Sequence, residues 1–176
     1  MRYFFLPILV GLLFLISYEG IFNYVSDKIA KNKINQTQRV ADRIKVFLFN
    51  NKLLTWVFKG SQALFPSKNL ININNFEAHR VGEYLLVKSR QAVIDKKRKF
   101  ISLQGNVFVE FKKNGKSIRI KTSKAFIDLT KNIIYGNRVV EVWEPHRVIK
   151  GVGFRYNIKT GSFIILRDVK TSVNTP

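Results

Sequence analysis

From Trp56 onward this chain repeats one pattern several times, and a chain built that way has few folds open to it. The clearest copies are Val87-Lys88-Ser89-Arg90-Gln91-Ala92-Val93-Ile94-Asp95 and Ile120-Lys121-Thr122-Ser123-Lys124-Ala125-Phe126-Ile127-Asp128, offset by 33 residues. Each is followed by Gly-Asn and then a Glu five residues after the Gly, as Gly105-Asn106 with Glu110 and Gly136-Asn137 with Glu141. Phe58 to Ala63, then Asn74-Asn75-Phe76-Glu77, is an earlier echo, and Gly153-Phe154-Arg155-Tyr156 a looser later one. A period near 30 residues predicts a stack of equivalent supersecondary units, each needing its neighbours to bury its apolar face.

Within the units the hydrophobic period is two. Ile118-Arg119-Ile120-Lys121 alternates cleanly, and Val107, Val109 and Phe111 alternate around Phe108 and Glu110. Asn114-Gly115 is a strong hairpin signal, because a two-residue type I′ turn needs positive φ at both positions. Asp95 to Lys99, Thr130-Lys131-Asn132 and Lys159-Thr160-Gly161 fall at the equivalent breaks. The pattern predicts an all-β domain over residues 55–176, its short antiparallel strands forming a sandwich or an open roll.

The other end of the chain is different. Tyr3 to Tyr18 carries no charge over sixteen residues. As a helix that stretch would reach about 24 Å, and continuing through Val25 would complete a membrane span. Residues 1–25 are therefore expected to be a single transmembrane anchor helix, with Arg2 snorkelling and Glu19 at an interface. A secretory signal peptide is the competing reading, but Leu15 to Gly20 offers no small-x-small cleavage site. Residues 26–54 read as a polar linker. Val40, Ile44, Phe47 and Leu48 then recur at helical spacing among Arg39, Arg43 and Lys45. A short amphipathic helix is expected there, lying on a membrane or packing on the β-domain.

The formal charge of +20 fits nucleic acid, anionic lipid headgroups or a phosphorylated ligand, and equally a bias toward Lys across a whole proteome. Lysines at turn tips are not the one-sided basic face with exposed aromatics that nucleic acid requires, so no nucleic-acid partner is expected. The absence of Cys excludes disulfides and thiol catalysis. His79 and His146 are the only histidines, and neither has a metal-ligand partner at usable spacing. No Ser sits in a nucleophile-elbow context. The acidic positions Asp95/Asp128 and Glu110/Glu141 recur with the repeat, which marks turn formers or outward strand positions. No enzyme activity, cofactor or metal is expected.

The Ala-x-Ile-Asp and Gly-Asn-x-x-Val-Glu repeats behind one N-terminal anchor resemble the LptC family of lipopolysaccharide-export proteins, over roughly Trp56 to Val169. They also resemble the wider group of periplasmic lipopolysaccharide-transport β-jelly rolls. The resemblance implies a twisted antiparallel β-jelly roll in the periplasm, tethered to the inner membrane by a single pass. It implies that lipopolysaccharide is accepted from an inner-membrane ABC transporter, held by its acyl chains, and passed to a soluble periplasmic bridge protein. Carried over, Trp56-Val57-Phe58 would form the receiving edge and Ser162-Phe163-Ile164-Ile165-Leu166 the donating edge. The partner-edge residues are then Trp56, Phe58, Phe163 and Ile165. Alternation nominates Val107, Val109, Phe111, Ile118, Ile120, Val140 and Val142 for the inner face, with Phe154 and Tyr156 joining because Arg155 must point away. In the resemblance these nine face lipid. In a membrane-tethered adapter that joins β-domains edge to edge, they are plain core.

One pattern opposes this topology. Lys28, Lys31, Lys33, Arg39, Arg43 and Lys45 follow the apolar stretch, against Arg2 before it, and the positive-inside rule alone would leave the β-domain in the cytoplasm. There it would be read as a binder of anionic polymers. The family resemblance places it in the periplasm.

Overall fold

The computed structural model describes residues 22–26, 39–50, 52–113 and 115–173, and among them there is no helix. Nine antiparallel strands run from Arg39 to Val173. They are β2 (Arg39–Asn50), β3 (Leu53–Ser67), β4 (Leu70–Arg80), β5 (Leu85–Asp95), β6 (Phe100–Lys113), β7 (Lys116–Asp128), β8 (Ile133–Glu144), β9 (Arg147–Asn157) and β10 (Phe163–Val173). A short β1 (Phe22–Ser26) lies against β2. Every strand pairs only with its neighbours in the chain, so one sheet runs in the order β1 to β10.

This meander is rolled on itself. Phe111 at the end of β6 stacks on Tyr156 of β9 with ring centroids 4.0 Å apart, although β7 and β8 separate them in the sheet. A single apolar cluster extends from Ile44 to Ile158. Its source is the period-two pattern: in β6 Ile101, Leu103, Val107, Val109 and Phe111 are buried, and in β8 Ile134, Val140 and Val142.

The roll is possible because the strands bend midway. Arg43, Asn75, Gly105, Asn106, Gly153 and Asp168 have left-handed backbone, and the ladders slip at Gln104/Val107, Gly136/Val139 and Arg167/Lys170. Bulges of this kind add a residue and sharpen the local twist, which lets a wide sheet curl. They also reset the alternation. In β5 Leu85, Val87 and Ser89 face inward, then Ala92 and Ile94, so Val93 is left 40% exposed. β7 makes the same slip between Thr122 and Ala125, and in β4 the inward phase changes between Ile73 and Phe76 at the left-handed Asn75, with the register kept.

The recurring Gly-Asn marks this bend, in two ways. Gly105 and Asn106 both take positive φ, 74° and 50°, and Asn75 does so in the earlier copy. Gly136 is needed for space instead. A Cβ there would stand 2.8 Å from the Lys124 carbonyl and 2.9 Å from the Phe154 ring.

The recurring Asp is a turn former. Asp95 Oδ1 accepts from the Arg98 N–H, and Asp128 Oδ1 from those of Thr130 and Lys131. Asn157 does the same for Lys159 and Thr160. These turns stand along one rim of the roll and are joined to each other. The Lys96 N–H donates to the Asn69 carbonyl, Leu129 to Lys99 and Ile158 to Asn132, at 2.9–3.0 Å. On the opposite rim Lys113 pairs with Lys116, and Gly115 has φ 75°.

Three expectations need correction. The helix over Val40, Ile44, Phe47 and Leu48 does not form, because Arg39–Asn50 is strand β2. Ile44 and Val46 are its buried pair at period two, while Val40 is 54% exposed beyond Arg43, whose backbone is left-handed at φ 49°. Four apolar residues over nine positions fit both periods, and the left-handed residue hid the strand phase. Strand β2 consequently begins at Arg39, inside the expected linker of residues 26–54. Second, Trp56 and Phe58 are not at an edge: β3 is paired with β2 on one side and β4 on the other, and both side chains are buried. Third, the end of the expected anchor, Phe22–Val25, belongs to β1. The rest of that stretch, residues 1–21, lies outside the described residues. Among the described residues no helix is long and apolar enough to cross a membrane.

Candidate functional site

All nine residues expected on the inner face are there. Val107, Val109, Phe111, Ile118, Ile120, Val140, Val142, Phe154 and Tyr156 are each at most 6% exposed. Strand pairing aligns them in rows across the sheet. Val109 stands opposite Ile120 and Ile120 opposite Val142, while Phe111 faces Ile118. The interior is thus lined by aliphatic and aromatic carbon from β2 to β9. Tyr156 is the inner phenol, and burial pushes its pKa up.

The C-terminal boundary of this interior is an edge. Among the described residues β10 pairs with β9 alone. Phe163 and Ile165 turn inward and pack on the core, with the Phe163 ring 6.1 Å from Phe111 and 6.3 Å from Phe154. Ile164 and Leu166 project outward, each more than half exposed. The bulge at Arg167/Lys170, with Asp168 at φ 52°, ends the regular edge just beyond Leu166. An apolar edge of this kind is a template for another strand.

The outer face carries a row of ion pairs whose spacing follows the repeat. Glu77 stands opposite Lys88, Glu110 opposite Arg119 and Glu141 opposite Lys150 in three successive hairpins. Their charged atoms are 2.9, 3.0 and 3.0 Å apart. The recurring Glu was legible in the sequence as an outward position. Its basic partner was not, because the two meet only once the hairpin register is set. Ser117 Oγ donates to Glu110 Oε1 at 2.8 Å and Arg119 Nε adds a second bond, which together hold the Glu110 pKa below the usual carboxylate range despite burial. Lys121 lies over the Trp143 ring at 4.7 Å, fixing it outside beside Ile120 on the inside.

Glu77 is the most perturbed member. His79 Nε2 stands 2.6 Å from Glu77 Oε1 and Lys88 Nζ 2.9 Å from Glu77 Oε2. These hydrogen bonds lower its pKa from 4.5 to about 2. A depressed carboxylate contributes stability that is fully present above its unfolded value and is lost as pH falls through its folded value. Glu77 is therefore expected to contribute to acid sensitivity between about pH 4.5 and 2. Urea unfolding of the Glu77→Gln protein should show a shallower fall in stability across that window than the parent; parallel curves would contradict this.

Arg80, at the end of β4, was not anticipated. Its guanidinium lies 5.7 Å from the Trp56 ring, its Nε is 2.9 Å from Glu83 Oε1, and its Nη1 donates to Asn132 Oδ1 at 3.3 Å. The last contact joins the two opposite rims of the roll. Among the described residues no buried side-chain polar atom lacks a partner, and no His, Cys, Asp and Glu cluster has the makings of a metal site.

Residues 8–174 match the family model described as LptC: Lipopolysaccharide-assembly, LptC-related. A protein of Aquifex aeolicus (strain VF5), named only as an uncharacterized protein, is 30% identical over 116 residues, 66% of this chain and 66% of its own length. This chain thus spans just under two thirds of that relative. Among solved structures, the crystal structure of LptH aligns with a TM-score of 0.41 at 10% identity, covering 89% of this chain and 97% of that one. LptH is described as the LptA homologous periplasmic component of the conserved lipopolysaccharide transport device from Pseudomonas aeruginosa.

Proposed function

Since the chain belongs to the LptC-related family of lipopolysaccharide-assembly proteins, we propose that it serves lipopolysaccharide transport and that the inner face of its roll carries the acyl chains. In this reading the protein is anchored in the inner membrane through its N-terminal apolar stretch, with the β-domain in the periplasm. It receives lipopolysaccharide from an inner-membrane ATP-driven transporter and hands it to a soluble bridge protein. The observation that carries the reading is the apolar interior, continuous from β2 to β9 and bounded at its C-terminal end by an unpaired strand. Acyl chains are held by buried apolar area without directional bonds, so a lining of Val, Ile and Phe suits them. The free side of β10 supports a hand-over by strand addition, in which backbone groups of β10 pair with a partner strand. The receiving side belongs to the β1–β2 end of the sheet, since β3 is already paired on both sides.

A second reading has its own observation. The inner side chains fill the roll to near-zero exposure, as in a closed core, and this favours an adapter that joins β-domains without taking lipid. A photoreactive residue at Ile120 in cells, with Lys121 as the outward control, separates the two. A lipopolysaccharide adduct at Ile120 and none at Lys121 is the expected result. Stable protein with no adduct at Ile120 would move the assignment to the adapter.

A further inference from the structure

The two rims of the roll meet at Arg80, and what it covers is the interior itself. One rim is the series of turns joined through Asn69, Lys99 and Asn132; the other contains the connection Val81–Tyr84 that follows β4. Arg80 spans them. It is 5.7 Å from the ring of Trp56, which is 2% exposed, and its charge, like that of Glu83, acts on the buried Tyr156 phenol. Tyr156 in turn stacks on Phe111, an aromatic pair that joins β6 and β9 across the roll. Arg80 thus bears on two buried aromatic side chains, Trp56 and Tyr156, and its guanidinium with the Asn132 amide is the polar contact between the rims.

We propose that Arg80, Glu83 and Asn132 form a latch, and that the seam it closes is where an acyl chain passes between solvent and the interior. The proposal rests on the lipid-carrier reading above for what passes through, and on contacts in this chain for what closes it. The polar contact across the seam is one side-chain hydrogen bond, with Glu83 orienting the guanidinium from its own rim, and it yields more readily than the flanking hydrogen-bonded strands. The Arg80–Asn132 contact is made by side chains, so it can part while Arg80 keeps its backbone place opposite Trp56 at the end of β4. Glu83 is the more exposed of the ion pair, 42% against 16% for Arg80. An acidic group arriving from solvent can take its place on the guanidinium, and Arg80 would then release Asn132 as it binds the incoming anion.

The test uses the full chain in nanodiscs of neutral lipid, with Trp143→Phe so that Trp56 is the single tryptophan. Acrylamide quenching of Trp56 reports the seam without any ligand. Asn132→Gly removes the amide yet tolerates the positive φ of 55° at that position, and Arg80→Gln removes the charge. Each is expected to raise the quenching constant about tenfold, as loss of a charge-assisted hydrogen bond should. Fluorescent lipopolysaccharide then reports loading, which Asn132→Gly should accelerate by a similar factor. An Arg80→Cys, Asn132→Cys protein, tied by a short cleavable dithiol reagent, should load only after cleavage; the chain has no other cysteine. A tie between Glu141→Cys and Lys150→Cys, neighbours on adjacent strands, should have no effect.

Unchanged quenching in both single variants would overturn the latch whatever the lipid does. Loading that continues through the tied seam would overturn its role as the passage. Raised quenching with no loading by any variant, parent included, would uphold the latch and refute the lipid-carrier reading.

Discussion

Phe111→Ala is expected to lower the unfolding free energy of the β-domain by about 4 kcal/mol, near the top of the range for single core truncations. Phe111 has no exposed surface and stacks on Tyr156 at 4.0 Å, with Phe163 6.1 Å away. Its removal leaves a cavity between β6 and β9, strands that backbone pairing cannot draw together because β7 and β8 lie between them in the sheet. Neighbours that cannot collapse into the space make the cost large. Phe108 on the outer face of the same strand is the control, and Phe108→Ala should cost about 1 kcal/mol. Urea unfolding of the two variants checks the difference. Equal losses would mean that β6 has no inner and outer side.

Gly136→Ala is expected to destabilise by about 3 kcal/mol through crowding. The new methyl would press on the Lys124 carbonyl at 2.8 Å and the Phe154 ring at 2.9 Å, one a backbone group and the other fully buried. Neither has room to retreat. Gly115→Ala is the contrast, since nothing stands within 4 Å of that position and only the φ of 75° is unfavourable. It should cost about 1 kcal/mol, in line with a strained left-handed residue. Thermal unfolding of the pair distinguishes a packing cost from a conformational one, and a Gly136→Ala protein as stable as the parent would remove the close approach from the account of the bend.

These two positions also show what kind of information each level carries. The strand between Gly105 and Lys113 was readable from Val107, Val109 and Phe111, and all three are inside. The Asp95 and Asp128 turns were readable because a short carboxylate that caps its own following N–H groups is a local device. Val93 shows where reading stopped. It alternates with Gln91 and Asp95 in the sequence, but the slip between Ser89 and Ala92 places it outside. Counting by twos cannot register an added residue, and the cost or benefit of a bulge is decided by the neighbouring strand. The segment Arg39–Asn50 failed for a related reason: the left-handed backbone at Arg43 changes which side chains face inward, with no residue added to the β2–β3 ladder.

The sequence by itself determined the class of fold, the turns and the apolar inner face, because each follows from patterns a few residues long and from a repeat that copies them. It also carried the family. Only the tertiary structure decided which strand lies at the edge, which cation meets Glu77, Glu110 or Glu141, and that Arg80 reaches Asn132. Those facts depend on register and on how far a bent sheet rolls before its rims touch. Residues 52 apart in the chain meet only when every intervening bulge has added its twist, and no local pattern records that sum.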